Sequence, residues 1–277
     1  MPQLRPPIHR NLRGGILRMG GAAGSRTAGR SEAPAVQFSR LNDFRMEHIM
    51  LGGAEASGSG TAATGLPRWR QQVQYAVGHT LNDFYSLQPE VRRETPIQFL
   101  LERRWPPKGD AFPSLMHYWE VKTAVTDELM RRASVNHLQD IPVLLYEQWH
   151  VPVPELGIEL AMIFQLAWNS AVPGRCLSIQ KLMVSGNDEV ITGFLHMANV
   201  FCHQAYGMPA DKVEVYSLLD GRQHIFDGAG IPLPESLDYV RLLSVFMKQE
   251  ESAARMLKYG ERRSEHDELV QRGYGLM

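Results

Sequence analysis

From Pro154 to Phe226 the chain carries its longest stretch of closely spaced apolar positions, and two periodicities alternate along it. Leu156, Leu160, Ile163, Phe164, Ala167 and Trp168 recur at spacings of three and four, which predicts a helix over about 155–170 that stops at Pro173-Gly174. The run from 176 to 184 predicts a strand. Val190, Phe194, Met197, Ala198, Phe201 and Ala205 then predict a second helix over 187–206, ended by Gly207. Lys212 to Phe226 reads as a hairpin about Asp220-Gly221, a pair suited to the left-handed backbone of a tight turn.

On either side of this region the helical period dominates. Trp69, Val73, Ala76, Val77, Leu81 and Phe84 share one face of a helix that opens after Pro67 and ends before Pro89. A short helix from Pro96 to Trp105 is closed by Pro106-Pro107-Lys108-Gly109. Leu115, Tyr118, Trp119, Val125, Leu129 and Ala133 predict another, opened by Pro113. Between Ile141 and Val153 the prolines at 142, 152 and 154 leave a short helix and an edge strand equally open. A long helix over 235–258 buries Leu237, Val240, Leu243 and Met247, then turns polar, and Gly260 breaks it.

The first 66 residues read differently. Residues 1–39 are rich in Gly, Ala, Pro, Ser and Arg with no acid before Glu32, and 52–65 has the composition of a flexible linker. Neither buries enough apolar area to offset its ordering entropy. Between them, residues 40–51 match a short amphipathic helix through Leu41, Phe44, His48 and Leu51, either a docking peptide on tethers or a stray helix packed on the chain's own core. The tetrapeptide Leu-Asn-Asp-Phe occurs at 41–44 and again at 81–84; one four-residue match is no solenoid repeat.

These elements predict an α+β fold, predominantly helical. Helices pack on a small sheet, made of a strand at about 176–184 and the hairpin 212–226, preceded by a disordered Arg/Gly/Ser-rich N-terminal tail. The expected division is a basic tail and linker over 1–66, one helix-rich domain over 67–260 and a polar extension over 261–277. A crossover helix between the strand and the hairpin would make a right-handed βαβ unit.

Composition narrows the chemistry. At 277 residues, 44% hydrophobic and 21% charged, the chain resembles an ordinary soluble protein. Two cysteines, Cys176 and Cys202, exclude a disulfide framework and a Cys-rich zinc site. No apolar run approaches the roughly 18 residues that span a bilayer. The net charge of −1 conceals a polarity: residues 1–108 hold 15 basic and 8 acidic residues, the remainder 14 and 22. Before Lys108 every basic residue is arginine, the side chain suited to bidentate phosphate contacts. Arg-rich codon usage explains the same bias, and the chain has only six lysines.

Motif chemistry is sparse. The sequence has no GxxxxGK[ST] phosphate cradle, GxSxG elbow, CxxC, HExxH or EF-hand loop, and Gly58-Ser59-Gly60 lacks the flanking strand and helix of a dinucleotide fingerprint. His196 and His203 point to one helix face, yet stand about 10 Å apart along it, too far for one ion even with Glu159. They read as core histidines, and a Cys202–His196 nucleophilic pair lacks an orienting third group. Asp211, Glu214 and Asp227 form an acidic edge around the hairpin, beside Asp220 and His224, of the kind that guards a sheet edge. Neither a cofactor nor a metal is expected.

The remaining candidates are basic. Arg5, Arg10, Arg13, Arg18, Arg26 and Arg30 form an acid-free arm that suits phosphate neutralisation, an organelle transit peptide or a bacterial secretion segment. Arg92, Arg93, Arg103, Arg104 and Lys108 fall within seventeen residues, with Trp105 among them, which suits phosphate contact plus base stacking. Arg-Arg pairs near helix C-termini also answer the helix dipole. The resulting expectation is a non-enzymatic structural or assembly protein, nucleoprotein- or capsid-like. Its partners would be further copies of itself and RNA or single-stranded nucleic acid. Its setting would be intracellular and soluble, with association with a virion or import into an organelle as further options. The alternative is an enzyme or adaptor behind a targeting or secretion segment.

Overall fold

A six-stranded mixed sheet, not a small one, organises the chain. The structure, a computed structural model, describes residues 38–50, 67–108, 111–135, 141–249 and Ser252. The elements in order are β1 (Ser39–Asn42), α1 (Asp43–Met50), α2 (Arg68–Tyr85), α3 (Pro89–Glu94), α4 (Ile97–Arg104), α5 (Leu115–Val135), β2 (Leu144–Val153), β3 (Ile158–Asn169), β4 (Leu177–Met183), α6 (Asp188–Tyr206), β5 (Lys212–Ser217), β6 (Gln223–Asp227) and α7, over 233–249. The strand expected at 176–184 and the hairpin are present as β4, β5 and β6, but they are only half of the sheet.

The correction to the expected fold lies mainly in one segment. Residues 158–169, expected as a helix, form the 12-residue central strand β3. It is lined antiparallel by β2 along one edge; the other edge is shared, parallel by β1 over 158–161 and antiparallel by β4 over 166–169. Eight of its residues are buried because helices cover both faces, so its apolar run carries no clean alternation. Leu, Ala and Met are good helix formers, and here tertiary burial overrides their preference. Residues 40–51, expected as a helix, divide between β1 and α1, and Leu41 and Met46 are fully buried. Residues 1–37, which hold the expected disordered tail, lie outside the described residues.

Two cores flank the sheet. On one face α1, α6 and α7 cover Ile158, Leu160, Met162, Phe164, Ile179, Val213 and Val215. On the other, α2, α4 and α5 cover Leu166, Leu182, Tyr216 and Leu218. Within β3, Phe164 belongs to the first core, Leu166 to the second and Ala167 to the first again. In β2, Trp149, Val151 and Val153 belong to the first core and so does Leu144, which breaks the same alternation. Both strands therefore reverse their pleat at one level, where Tyr146 stands opposite Gln165 and the ladder is interrupted. Tyr146 has a φ of 47°, the only positive value at a non-glycine among the described residues. Its ring occupies the space over Gly78 of α2, where a Cβ would overlap it.

The shared edge of β3 is closed by side chains. Between the end of β1 and the end of β4, the Asp43 carboxylate accepts from the Ile163 amide (3.3 Å) and from Lys181 Nζ (2.7 Å). Lys181 Nζ also donates to the Ile163 carbonyl (3.3 Å). Beyond it, the Gln165 side chain donates to the Leu182 carbonyl (3.0 Å) and accepts from the Leu182 amide (2.6 Å). Gln74 of α2 likewise donates to the Leu182 carbonyl (2.8 Å) and accepts from the Val184 amide (2.9 Å). β4 then runs on to pair in parallel with β5, and α6 is the crossover between them. Asn187 caps α6 by accepting from the amides of Glu189 and Val190, and Gly207 ends it in the left-handed region.

Two outcomes follow. Lys181→Met should lower the unfolding free energy by about 3 kcal/mol by leaving Asp43 buried and unpaired, and Asp43→Asn with Lys181→Met should recover part of it. Urea titrations measure both; a single variant as stable as the wild type would remove the pair from its role. Gly78→Ala should destabilise by about 1–3 kcal/mol through the Tyr146 ring. In a Tyr146→Gly background the same change should stabilise, by the ~1 kcal/mol that alanine gains over glycine in a helix.

Candidate functional site

The basic cluster expected over 92–108 divides into buried and exposed members. Arg92 is buried; its Nη2 donates to the carbonyls of Tyr85 (3.2 Å) and Leu87 (3.1 Å), and its guanidinium lies 4.8 Å from the Tyr85 ring centre. It thus satisfies the carbonyl end of α2, where a cation also answers the helix dipole. Trp105 is 8% exposed and sits in the second core, 6.5 Å from the Tyr118 ring. Arg93, Arg103, Arg104 and Lys108 are exposed, and Arg104 is held by Asp83 (2.8 Å). Arg5, Arg10, Arg13, Arg18, Arg26 and Arg30 lie outside the described residues.

An aromatic that sequence reasoning assigned to the core takes the exposed position instead. Trp119, near the start of α5, is 42% exposed, with Lys108 Nζ 4.3 Å and Lys122 Nζ 5.5 Å from its ring centre. Tyr118 beside it points inward, against Phe112 (4.9 Å), with its hydroxyl donating to the Pro106 carbonyl (3.3 Å). Leu115 and Met116 in the same first turn, and Phe99 on α4, are exposed as well. Lys122 bridges α5 to Glu102 of α4 (2.7 Å), so the two helices present one surface. The sequence signal for it was a helix whose first turn carries apolar residues all round, Leu115, Met116, Tyr118 and Trp119, which cannot all face one core.

A polar chain, buried at Gln180, Glu214, Tyr216 and Glu128, links the sheet to α5. Glu214 of β5 accepts from Gln180 Nε2 (2.6 Å), the Tyr216 hydroxyl (2.9 Å) and Lys212 Nζ (2.7 Å). Burial pushes its carboxyl up, but these three donors outweigh burial and hold it below the usual carboxylate range. The Tyr216 hydroxyl accepts from Gln223 (3.2 Å), and Gln223 accepts from Arg132 (3.0 Å). Arg132 lies over the Tyr216 ring (4.1 Å) and donates to Glu128 (2.5 Å), which Arg131 also contacts (2.9 Å). Burial and Glu214 together push the Tyr216 phenol up. Opposite charges alternate along this chain and each carboxylate is matched, so it locks the hairpin to α5.

The acidic edge around the hairpin is matched too. Asp211 accepts from Ser178 (3.0 Å), and Asp227 pairs with Arg175 (2.9 Å). Asp220 pairs with Arg222 (2.6 Å), whose Nη2 also donates to the Gly186 carbonyl. The turn is longer than two residues, and within it only Gly221 has a positive φ, 68°.

His196, Cys202 and His203 do not converge. His196 Nδ1 is 3.1 Å from Ser236 Oγ and its ring stacks on Tyr239 at 4.2 Å. Cys202 and Cys176 are buried free thiols in hydrogen-bond contact, which holds Cys176 low and, with burial, pushes Cys202 far up. Glu159 is engaged by Arg40 (2.6 Å). Among the described residues, no group of three or more His, Cys, Asp or Glu side chains is placed to hold a metal ion. No helix among them is long and apolar enough to cross a membrane.

Burial holds His150, His196 and His203 below the ordinary histidine value of 6.5. For these groups protonation favours the unfolded chain, so their contribution is complete above pH 6.5 and is lost as pH falls toward their folded values. The urea midpoint should therefore drop between pH 7.5 and 5.5, and His196→Gln should flatten that dependence; an unchanged slope in the variant would exclude His196 as a contributor. Compared with known proteins, the sequence matches no family model and no curated protein.

Proposed function

We propose that this chain is a non-enzymatic assembly protein that associates with its own kind and contacts RNA or other single-stranded nucleic acid. Contact would run through the start of α5 and the exposed bases next to it. The observation that carries the reading is Trp119, exposed and flanked by Lys108 and Lys122, on the surface that also holds Phe99, Leu115 and Met116. Single strands are held by cations that track phosphates and by rings on which bases stack, and this surface supplies both. Arg93 of α3 and Arg103 of α4 are exposed, and the acid-free arginine arm before Glu32 supplies further charge. Arg92 and Trp105, which complete the sequence cluster, serve the fold and leave the interface to Trp119.

The reading also draws on where polar chemistry is spent inside the body. Glu214, Glu128 and Asp43 are each buried and each matched by cations. Such groups fix a structure in one arrangement, which suits a building block.

Salt titration of binding to a homopolymeric RNA tests the proposal. Affinity should fall with a log–log slope of about −0.7 per neutralised phosphate. Arg103→Ala with Lys108→Ala should lower the slope by about one or two contacts, and deletion of residues 1–35 by several. Trp119→Ala should weaken binding by about 1–3 kcal/mol with an unchanged slope, because a stacked ring releases no counterion. Negligible binding at low salt by the full chain would overturn the reading. Binding unaffected by Trp119→Ala would remove α5 from it.

A further inference from the structure

The fold brings the chain's two cysteines together. Cys176 stands just before β4 and Cys202 near the end of α6, so that β4 and most of α6 lie between them. Both are free thiols in the first core, 1% and 0% exposed, and hydrogen-bonded to each other. Backbone bonds fix where they stand. The Cys176 amide donates to the Pro209 carbonyl (3.0 Å), and the Cys176 carbonyl accepts from the Ser170 amide (3.0 Å). The Asp211 amide donates to the Leu177 carbonyl (2.8 Å), and Arg175 Nη1 donates to the Ala210 carbonyl (3.2 Å). The segment 207–211, which leaves α6, is thus laid against residues 175–177.

The two thiols are not equivalent. Donation by the Cys202 thiol, helped by the backbone amides at 176 and 177, holds Cys176 low against burial and the Asp211 charge. The same bond, with burial, pushes Cys202 far up. Tyr206, one turn after Cys202, has a buried hydroxyl with no hydrogen-bond partner among the described residues. Burial, and after it both sulfurs, push that phenol up. Packing alone is indifferent to such an asymmetry, since a free cysteine packs as a small hydrophobe. Cys176 is the readier nucleophile, and Cys202 is the thiol placed to resolve what forms on it.

We propose that Cys176 and Cys202 are an oxidisable pair, closed by a peroxide into an intramolecular disulfide that ties the entry of β4 to the end of α6. The Cys176 thiolate attacks one peroxide oxygen, the O–O bond breaks, and the leaving hydroxide takes up a proton as water. The sulfur is left as a sulfenic acid. The Cys202 thiol then gives up its proton and attacks that sulfur, the S–O bond breaks and a second water leaves. Two thiols and one peroxide give one disulfide and two waters, and two electrons pass from sulfur to oxygen. The second step needs no search, because the resolving thiol is already in contact. Peroxide is small, and a local opening of the segment 207–211 is enough to admit it. The proposal is independent of both self-association and nucleic-acid contact.

Treating the folded full chain with hydrogen peroxide, then alkylating in denaturant and digesting with trypsin, tests it by mass spectrometry. Cleavage after Arg175, Lys181 and Lys212 should give residues 176–181 joined to 182–212, with neither thiol alkylated. The joined peptide should come from single chains on a non-reducing gel, and dithiothreitol should restore both alkylations. The oxidised chain should show a urea midpoint higher by about 1 M, because the closed loop restricts the unfolded state. In Cys202→Ala, dimedone should trap sulfenic acid at Cys176 at least about 10-fold more than in the wild type, which resolves it. Met116, 70% exposed, gauges the peroxide dose. Two thiols still fully alkylated once Met116 is oxidised would overturn the proposal. So would sulfinic acid at Cys176 without the joined peptide, or a disulfide formed only between chains. Those outcomes are read on the wild type and stand whether or not Cys202→Ala folds.

Discussion

The buried contact between Asp43 and Lys181 is what allows one strand to serve two partners along a single edge. β3 is bonded to β1 over its first third and to β4 over its last, and the backbone between them has no strand beside it. Buried amides and carbonyls left unpaired there would each cost about 1–3 kcal/mol. Asp43 accepts from the Ile163 amide and Lys181 donates to the Ile163 carbonyl, so one ion pair stands in for the missing strand. Its charges cancel each other, and Lys181 also lies over the Phe194 ring of α6 (5.2 Å). The sheet, the α1 segment and the crossover helix meet at this point.

A second constraint lies just beyond the first, at the level where Tyr146 and Gln165 face each other. Because the pleat reverses in both strands together, their register survives while their buried faces exchange. Without the reversal Leu166 would face the first core, already filled by α6. With it, Leu166 joins Leu182, Val184 and Tyr216 under α2 and α5. Gln165 is released from the ladder to hold the backbone of β4, and Gln74 reaches the same carbonyl from above. Tyr146 carries the left-handed backbone this needs, and Gly78 makes the room for its ring. The strain is local, and the neighbouring contacts over-determine it.

Much of the helical layer was legible because its signals were local. Pro67, Pro89 and Pro96 bracket α2 to α4, and Asn187 and Gly207 bracket α6, where cap and period agree. The hairpin was legible from Asp220-Gly221. β3 was not, because a strand buried on both faces loses the period of two, and its leucines and alanines fall at helical spacings by composition alone. β1 is four residues long, and nothing local marks it; its pairing partner lies more than a hundred positions away. Among the candidate residues, Arg92 and Trp105 looked like surface chemistry because a run of arginines hides which one turns inward. Arg92 is drawn in by the carbonyls at the end of α2, a demand that no spacing in its own neighbourhood records. Trp119 was placed in the core by its period, although its neighbours Leu115, Met116 and Tyr118 already exceeded what one face can bury.

The surplus of apolar residues is what the folded body offers outward. Its buried carboxylates are each matched by a cation: Asp43 by Lys181, Glu128 by Arg131 and Arg132, Glu214 by Lys212. Scattered exposed apolar side chains are ordinary and need no account. Here two groups are gathered at helical spacing, Leu115, Met116 and Trp119 at the start of α5 and Leu242, Val245 and Phe246 along α7. Each exposed group is rimmed by charges that its own helix cannot use to cover it. Around Trp119 stand Lys108 and Lys122, the latter paired with Glu102 of α4.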